Sequence, residues 1–161
     1  MATIEKQIEV EVPTSTAYNQ WTQFEEFPKF MEGVVQVQQL EDDRLFWKAE
    51  AGGVTKEWYA TINKQVPDET VSWRSEGGVD TGGEVSFRSI DAGRTEVTLS
   101  MSYEPEDLKE TVGDKLGFLS RQVEGDLKRF KEFIEERGTE TGAWRGTIHN
   151  TYGKSDTPNT P

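Results

Sequence analysis

The chain opens on a strict alternation. Ile4, Ile8, Val10 and Val12 fall on one side, and Glu5, Gln7, Glu9 and Glu11 on the other. A period of two over residues 3–12 predicts a strand with one buried face, on which Lys6 is the single polar residue. Pro13 closes it, and Thr14 or Ser15 is placed to cap a helix carrying Ala17, Tyr18, Trp21 and Phe24 on one face. Phe27-Pro28-Lys29-Phe30-Met31 predicts a second short helical turn, begun at Pro28 and closed by Gly33.

From residue 34 the period returns to two. Strands are expected at 34–40, 45–51, 54–66, 70–75, 84–90 and 95–103, with Gly52-Gly53 marking a hairpin. Gly77-Gly78 and Gly82-Gly83 bracket a flexible link. Trp58, Ala60 and Ile62 share one face, as do Val71 and Trp73, and Val97, Leu99, Met101 and Tyr103. Short connections between successive strands predict an antiparallel meander with one polar face. The period then lengthens. Val112, Leu116, Leu119, Val123, Leu127, Phe130 and Ile134 step by three and four, which predicts one long helix over about residues 109–137. Gly113, Gly117 and Gly125 lie inside it, each costing roughly 1 kcal/mol against Ala, so the stripe rather than local propensity argues for this helix. Gly138 ends the pattern. Residues 138–161 show no period and are expected to form a flexible tail beyond a single domain at 3–137.

Composition narrows the function. The 161 residues carry a net charge of −12 and no cysteine, which removes disulfides, thiolate nucleophiles and cysteine metal sites. Without clustered Lys and Arg the chain is not expected to bind nucleic acid. No apolar run approaches the roughly 20 residues of a membrane span, and the N-terminus lacks a signal-peptide pattern, so a cytoplasmic location is expected. Five Trp, four Tyr and eight Phe supply large buried area despite a hydrophobic fraction of 33%.

Candidate chemistry is sparse. The lone His149 lies in the expected tail, so no triad with an ordered histidine is available. Glu25-Glu26, Asp42-Asp43 and Glu135-Glu136 are sequence neighbours whose carboxylates point apart. The double glycines lack the lysine and helix of a phosphate loop. No metal site and no cofactor are expected. By alternation Arg74 and Glu57 point away from the apolar face, leaving Tyr103 as the one catalytic candidate on it.

A strand, two short helices, six more antiparallel strands and a long C-terminal helix form an order that resembles the helix-grip fold of the START-like (Bet v 1-like, SRPBCC) superfamily. Within it, the chain is similar to the polyketide cyclase/dehydrase and coenzyme Q-binding-like branch. The resemblance rests on Trp21 to Met31 (WTQFEEFPKFM), Glu57 to Ala60 (EWYA), Val71 to Ser75 (VSWRS), Gly82 to Phe87 and Tyr103-Glu104-Pro105, and covers residues 3–137. It implies an α+β architecture: a seven-stranded antiparallel sheet wrapped around the long helix, with a cavity between them. Facing that cavity would be Trp47, Trp58, Trp73, Phe87, Leu99, Met101 and Tyr103 from the strands and Leu116, Leu119 and Val123 from the helix, with Phe27, Phe30 and Met31 near its mouth. The function implied is binding or carriage of a small hydrophobic ligand such as a lipid, a quinone or a polyketide-like aromatic. Two alternatives stand beside it. One is an aromatase/cyclase-type enzyme using Tyr103; the other is a module whose aromatics fill the core and whose surface meets a protein partner.

Overall fold

A computed structural model describes residues 2–51, 53–76, 82–103 and 112–149. Seven strands form one antiparallel sheet: β1 (Ala2–Val10), β2 (Val34–Glu41), β3 (Arg44–Ala51), β4 (Val54–Val66), β5 (Thr70–Ser75), β6 (Gly82–Asp91) and β7 (Arg94–Tyr103). Their order is β1-β7-β6-β5-β4-β3-β2, so the sequence meander is also the spatial one except that β1 closes against β7. Between β1 and β2 lie α1 (Thr14–Trp21) and a 3-10 turn, Phe24–Lys29. A single long helix, α2 (Val112–Arg137), crosses the concave face. This is the helix-grip architecture.

The alternation along each strand fixes which side is which. Val37, Leu45, Trp47, Ala60, Ile62, Val71, Val85, Val97 and Leu99 are buried on the face toward α2. Their register aligns them across the sheet: Ile62 pairs with Trp73, Trp73 with Gly83, Gly83 with Met101, and Met101 with Ile4. Along α2, Val123, Leu127, Phe130 and Ile134, the stripe positions whose side chains are described, are all buried. The helix ends as expected at Gly138, whose φ of +74° allows its amide to close on the Ile134 carbonyl at 2.9 Å. The helix is tied to β1 by polar contacts. Glu135 Oε2 accepts from the Glu11 amide at 2.7 Å and from Lys131 Nζ at 2.6 Å, while Lys131 also donates to the Glu9 carbonyl.

Three expectations are corrected. Pro13, not Thr14 or Ser15, occupies the cap position of α1, with no side-chain cap; the Thr14 hydroxyl instead meets the Thr95 hydroxyl at 3.1 Å, tying the helix to β7. β6 starts at Gly82 rather than Glu84, because both glycines pair with β5 and β7. The third concerns residues 138–149, which run back over α1. Thr141 donates its amide to Gln20 Oε1 at 2.9 Å and accepts from Gln20 Nε2 at 3.0 Å. Trp144 N donates to Thr22 Oγ1, and Arg145 donates to Asn19 Oδ1 while pairing with Asp68 at 2.9 Å. A short strand, β8 (Ile148–His149), then pairs with β4 at Gln65 and Lys64.

These contacts satisfy two buried amides of α1, Asn19 and Gln20. Removing the partner of a buried polar group costs about 1–3 kcal/mol. A chain truncated after Gly138 should therefore melt about 5–10 °C lower than the full chain by thermal denaturation. An unchanged melting temperature would mean that the segment is merely laid on the surface.

Candidate functional site

The concave face divides into two ends. At one, α1 and the C-terminal half of α2 are packed in by rings. Trp21 lies edge-on to Phe27 at 5.1 Å and to Phe30 at 5.9 Å, and meets Phe130 at 5.3 Å. Phe30 also contacts Phe133 at 5.6 Å, and Phe27 reaches Trp47 at 5.7 Å. Phe27 and Phe30 are each 1% exposed, and Met31 is buried as well. The three residues expected near a mouth thus lie inside the packed end. Phe87 belongs to this end too, its ring edge-on to Tyr18 of α1 at 5.6 Å.

At the other end stand three indoles on adjacent strands. Trp47 and Trp58, paired across β3 and β4, lie parallel within 3° with centroids 6.0 Å apart. Trp73 on β5 lies 6.4 Å from Trp47, tilted by 25° to it. Together with Met101 they form a wall. Trp58 and Met101 point inward yet stay partly exposed, whereas Leu45, Ala60 and Ile62 beside them are sealed. The wall depends on Gly83. A Cβ there would lie 2.5 Å from Trp73 Cζ2 and 2.9 Å from Met101 Sδ, so the indole lies flat across β6 only because that side chain is missing. This is the physical content of the paired glycines, which sequence periodicity read as a link.

The wall offers little acid–base chemistry. Its polar atoms are indole N–H groups, and Trp47 Nε1 is buried with no acceptor among the described residues. Leu99 and Val123 are buried on facing elements. Tyr103 ends β7 opposite Ala2; its side chain, like those of Leu116, Leu119 and His149, lies outside the described residues. Glu57 and Arg74 point outward, as alternation predicts. On that outer face a polar depression of about 220 Å³ forms over Gly82, lined by Asn63, Ser72, Arg74, Glu84, Ser100 and Ser102 among others. Its side chains engage one another and their neighbours: Ser72 donates to Asn63 at 2.8 Å, and Ser100 to Glu5 at 3.0 Å. It reads as an ordinary hydrated sheet surface. Among the described residues no three His, Asp or Glu side chains gather as metal ligands, and no helix is long and apolar enough to cross a membrane.

One polar cluster escaped the sequence reading. Gln122, Asp126 and Arg129 form a row one position behind the apolar stripe of α2, and they meet the turn at residues 30–33. Asp126 Oδ1 accepts from the Glu32 amide at 3.1 Å and from Arg129 at 2.6 Å. Burial pushes the Asp126 carboxyl up to about 6, against the lowering effect of Arg129.

The comparisons place this geometry in a family. The chain matches the family described as polyketide cyclase / dehydrase and lipid transport over residues 10–132, and it belongs to that family. A 17.2 kDa uncharacterised protein of Streptomyces lincolnensis is 52% identical over 149 residues, covering 92% of this chain and 99% of its own. Among solved structures, a Deinococcus radiodurans protein is 28% identical with a TM-score of 0.67, over 84% of this chain and 99% of its own. The Zhui aromatase/cyclase of a Streptomyces species shares the fold at 16% identity and TM-score 0.71, over 89% of this chain and 99% of its own.

Two outcomes follow. Gly83→Ala should displace Trp73 and destabilise the domain by about 1–3 kcal/mol, read by denaturant unfolding together with a shift in Trp emission. The raised carboxyl of Asp126 means that the folded protein prefers it protonated. Stability is therefore lost as pH rises from the ordinary carboxylate range through about 6, and is lowest above that. Asp126→Asn should gain on the order of 2 kcal/mol at neutral pH and nothing below about pH 4, as followed by urea midpoints across pH. Equal midpoint shifts at both pH values would refute the burial argument.

Proposed function

We propose that the protein binds and carries one small hydrophobic molecule, held between the Trp47–Trp58–Trp73 wall and the first half of α2. The observation that carries this reading is the partial exposure of Trp58 and Met101 on a face whose neighbouring positions are sealed. Aromatic side chains left unfilled on a concave surface favour an apolar guest, because water there makes few hydrogen bonds while a ring or chain removes apolar area from solvent. Family membership supports the same class of ligand, since lipid transport is part of the family's description. A lipid, a quinone and a polyketide-like aromatic all fit that chemistry. Carriage rather than catalysis is favoured by the wall itself, which presents indole N–H groups and a thioether and no group suited to move a proton.

The test is titration with a short-chain quinone, followed by Trp emission. One-to-one binding with quenching is expected. Met101→Trp should weaken binding about tenfold or more while leaving the melting temperature close to that of the parent, since bulk enters open space. In a filled interior the same change would overpack and cost about 1–3 kcal/mol without any binding to lose, and that result would favour the interaction-module reading. Tyr103→Phe separates carrier from cyclase. A carrier loses at most one neutral hydrogen bond, about 0.5–1.5 kcal/mol of affinity. An enzyme using that phenol would lose about 100-fold or more in turnover.

A further inference from the structure

The turn at residues 30–33 is held in an unusual way. It links the 3-10 turn to β2, and three of its backbone groups are claimed by side chains of α2. Arg129 Nε donates to the Phe30 carbonyl at 2.9 Å, Asp126 Oδ1 accepts from the Glu32 amide at 3.1 Å, and Gln122 Nε2 donates to the Glu32 carbonyl at 3.0 Å. From the opposite side the Glu50 amide donates to the Gly33 carbonyl at 2.7 Å. Gly33 sits at φ +91°, and a Cβ there would lie 3.0 Å from Gln122 Nε2, so the close approach to the helix needs a glycine. Residues 122, 126 and 129 are spaced by four and three, one row on one helix face, and each bonds a backbone group of the turn.

What the row holds in place is the packed end of the interior. Phe30 and Met31 ride on this turn, and Phe30 contacts Trp21, Phe27, Phe130 and Phe133. If the turn lifted, both side chains would leave the ring cluster and open a path between the 3-10 turn and α2. We propose that Gln122, Asp126 and Arg129 act as a latch that keeps this turn closed over the interior and sets how readily an apolar molecule enters. The access role rests on the ligand-binding reading; the latch itself does not.

The latch is sensitive to acid. The charged groups facing Asp126 are Arg129 on its own helix and Glu32 on the turn, whose carboxylate reaches Arg129 only at 3.9 Å. Around the turn, Lys29 is paired with Glu26 at 2.7 Å, and Glu50 is exposed. Opening would hydrate Asp126 and return it toward ordinary carboxylate behaviour. Protonation therefore favours the closed form, and the ionised form is the one poised to open.

Two measurements on the full chain test this: hydrogen exchange of the 30–34 segment by mass spectrometry, and stopped-flow entry of anilinonaphthalene sulfonate. Gln122→Ala and Arg129→Ala should speed exchange of that segment by about tenfold or more with β6 and β7 unchanged, and speed probe entry in step. In the parent protein, exchange corrected for its intrinsic pH dependence should slow about tenfold from about pH 7.5 to about pH 5, and Asp126→Asn should abolish that dependence. Exchange that rises equally in the turn and the sheet would overturn the latch, since it would report global stability alone. Gln122→Ala, which removes one hydrogen bond and no charge, serves if Arg129→Ala does not fold. A loosened turn with unaltered probe entry would overturn the access role. Failure of the probe to bind any form would instead overturn the ligand reading and leave the latch to be judged by exchange.

Discussion

A chain of rings runs from α1 to the sheet: Trp21 to Phe27 and Phe30, Phe30 to Phe130, and Phe27 to Trp47. A concave sheet can bury its face only if something convex fills it, and one helix is too narrow to do so along its whole length. The rings supply the missing volume at one end. They join the α1 and 3-10 turn segment to β3 and α2, three stretches far apart in sequence, and seat the C-terminal half of α2, where Phe130 and Ile134 are fully buried. The contacts of Lys131 and Glu135 with β1 then fix the rotation of the helix, so that its apolar stripe meets the sheet.

The consequence is an asymmetric interior. One end is closed by aromatic packing, and the other is walled by three indoles and Met101, of which Trp58 and Met101 keep part of their surface uncovered. Membership of the polyketide cyclase / dehydrase and lipid transport family agrees with this division, since a fold that grips a helix at one end is free to vary what faces the other. The wall is built by subtraction as much as by bulk. Gly83 contributes nothing to contact, yet without its bare backbone Trp73 could not lie across β6.

The fold was legible where a period persisted. The stripe of α2 held over six steps, and the strands alternated cleanly, so element order and the faces of Trp58 and Trp73 followed from periodicity, while the inward place of Trp47 came from the family resemblance. What stayed hidden depended on partners distant in the chain. Gly82 and Gly83 look like linker until Trp73 and Met101 are placed on either side of them. Residues 139–149 show no periodicity because polar groups of α1, Asn19, Gln20 and Thr22, hold them rather than an apolar stripe. Asp126 sits among solvent-like polar residues of a helix, and only the return of the chain at Glu32 explains its burial. Phe27 and Phe30 were expected near the mouth of a cavity; alternation and spacing carry no depth, so their place inside the packed end was not evident.

The central claim is that the indole wall, and not the outer face of the same strands, is the binding surface. Nuclear magnetic resonance of the indole N–H groups tests it most directly, because each tryptophan reports separately. On titration with a short-chain quinone, the signals of Trp58 and Trp73 should move together with the Met101 methyl group and saturate at one equivalent, while amides of Ser72, Arg74, Ser100 and Ser102 stay in place. Shifts confined to those outer-face amides, or no saturable shift at Trp58, would contradict the account.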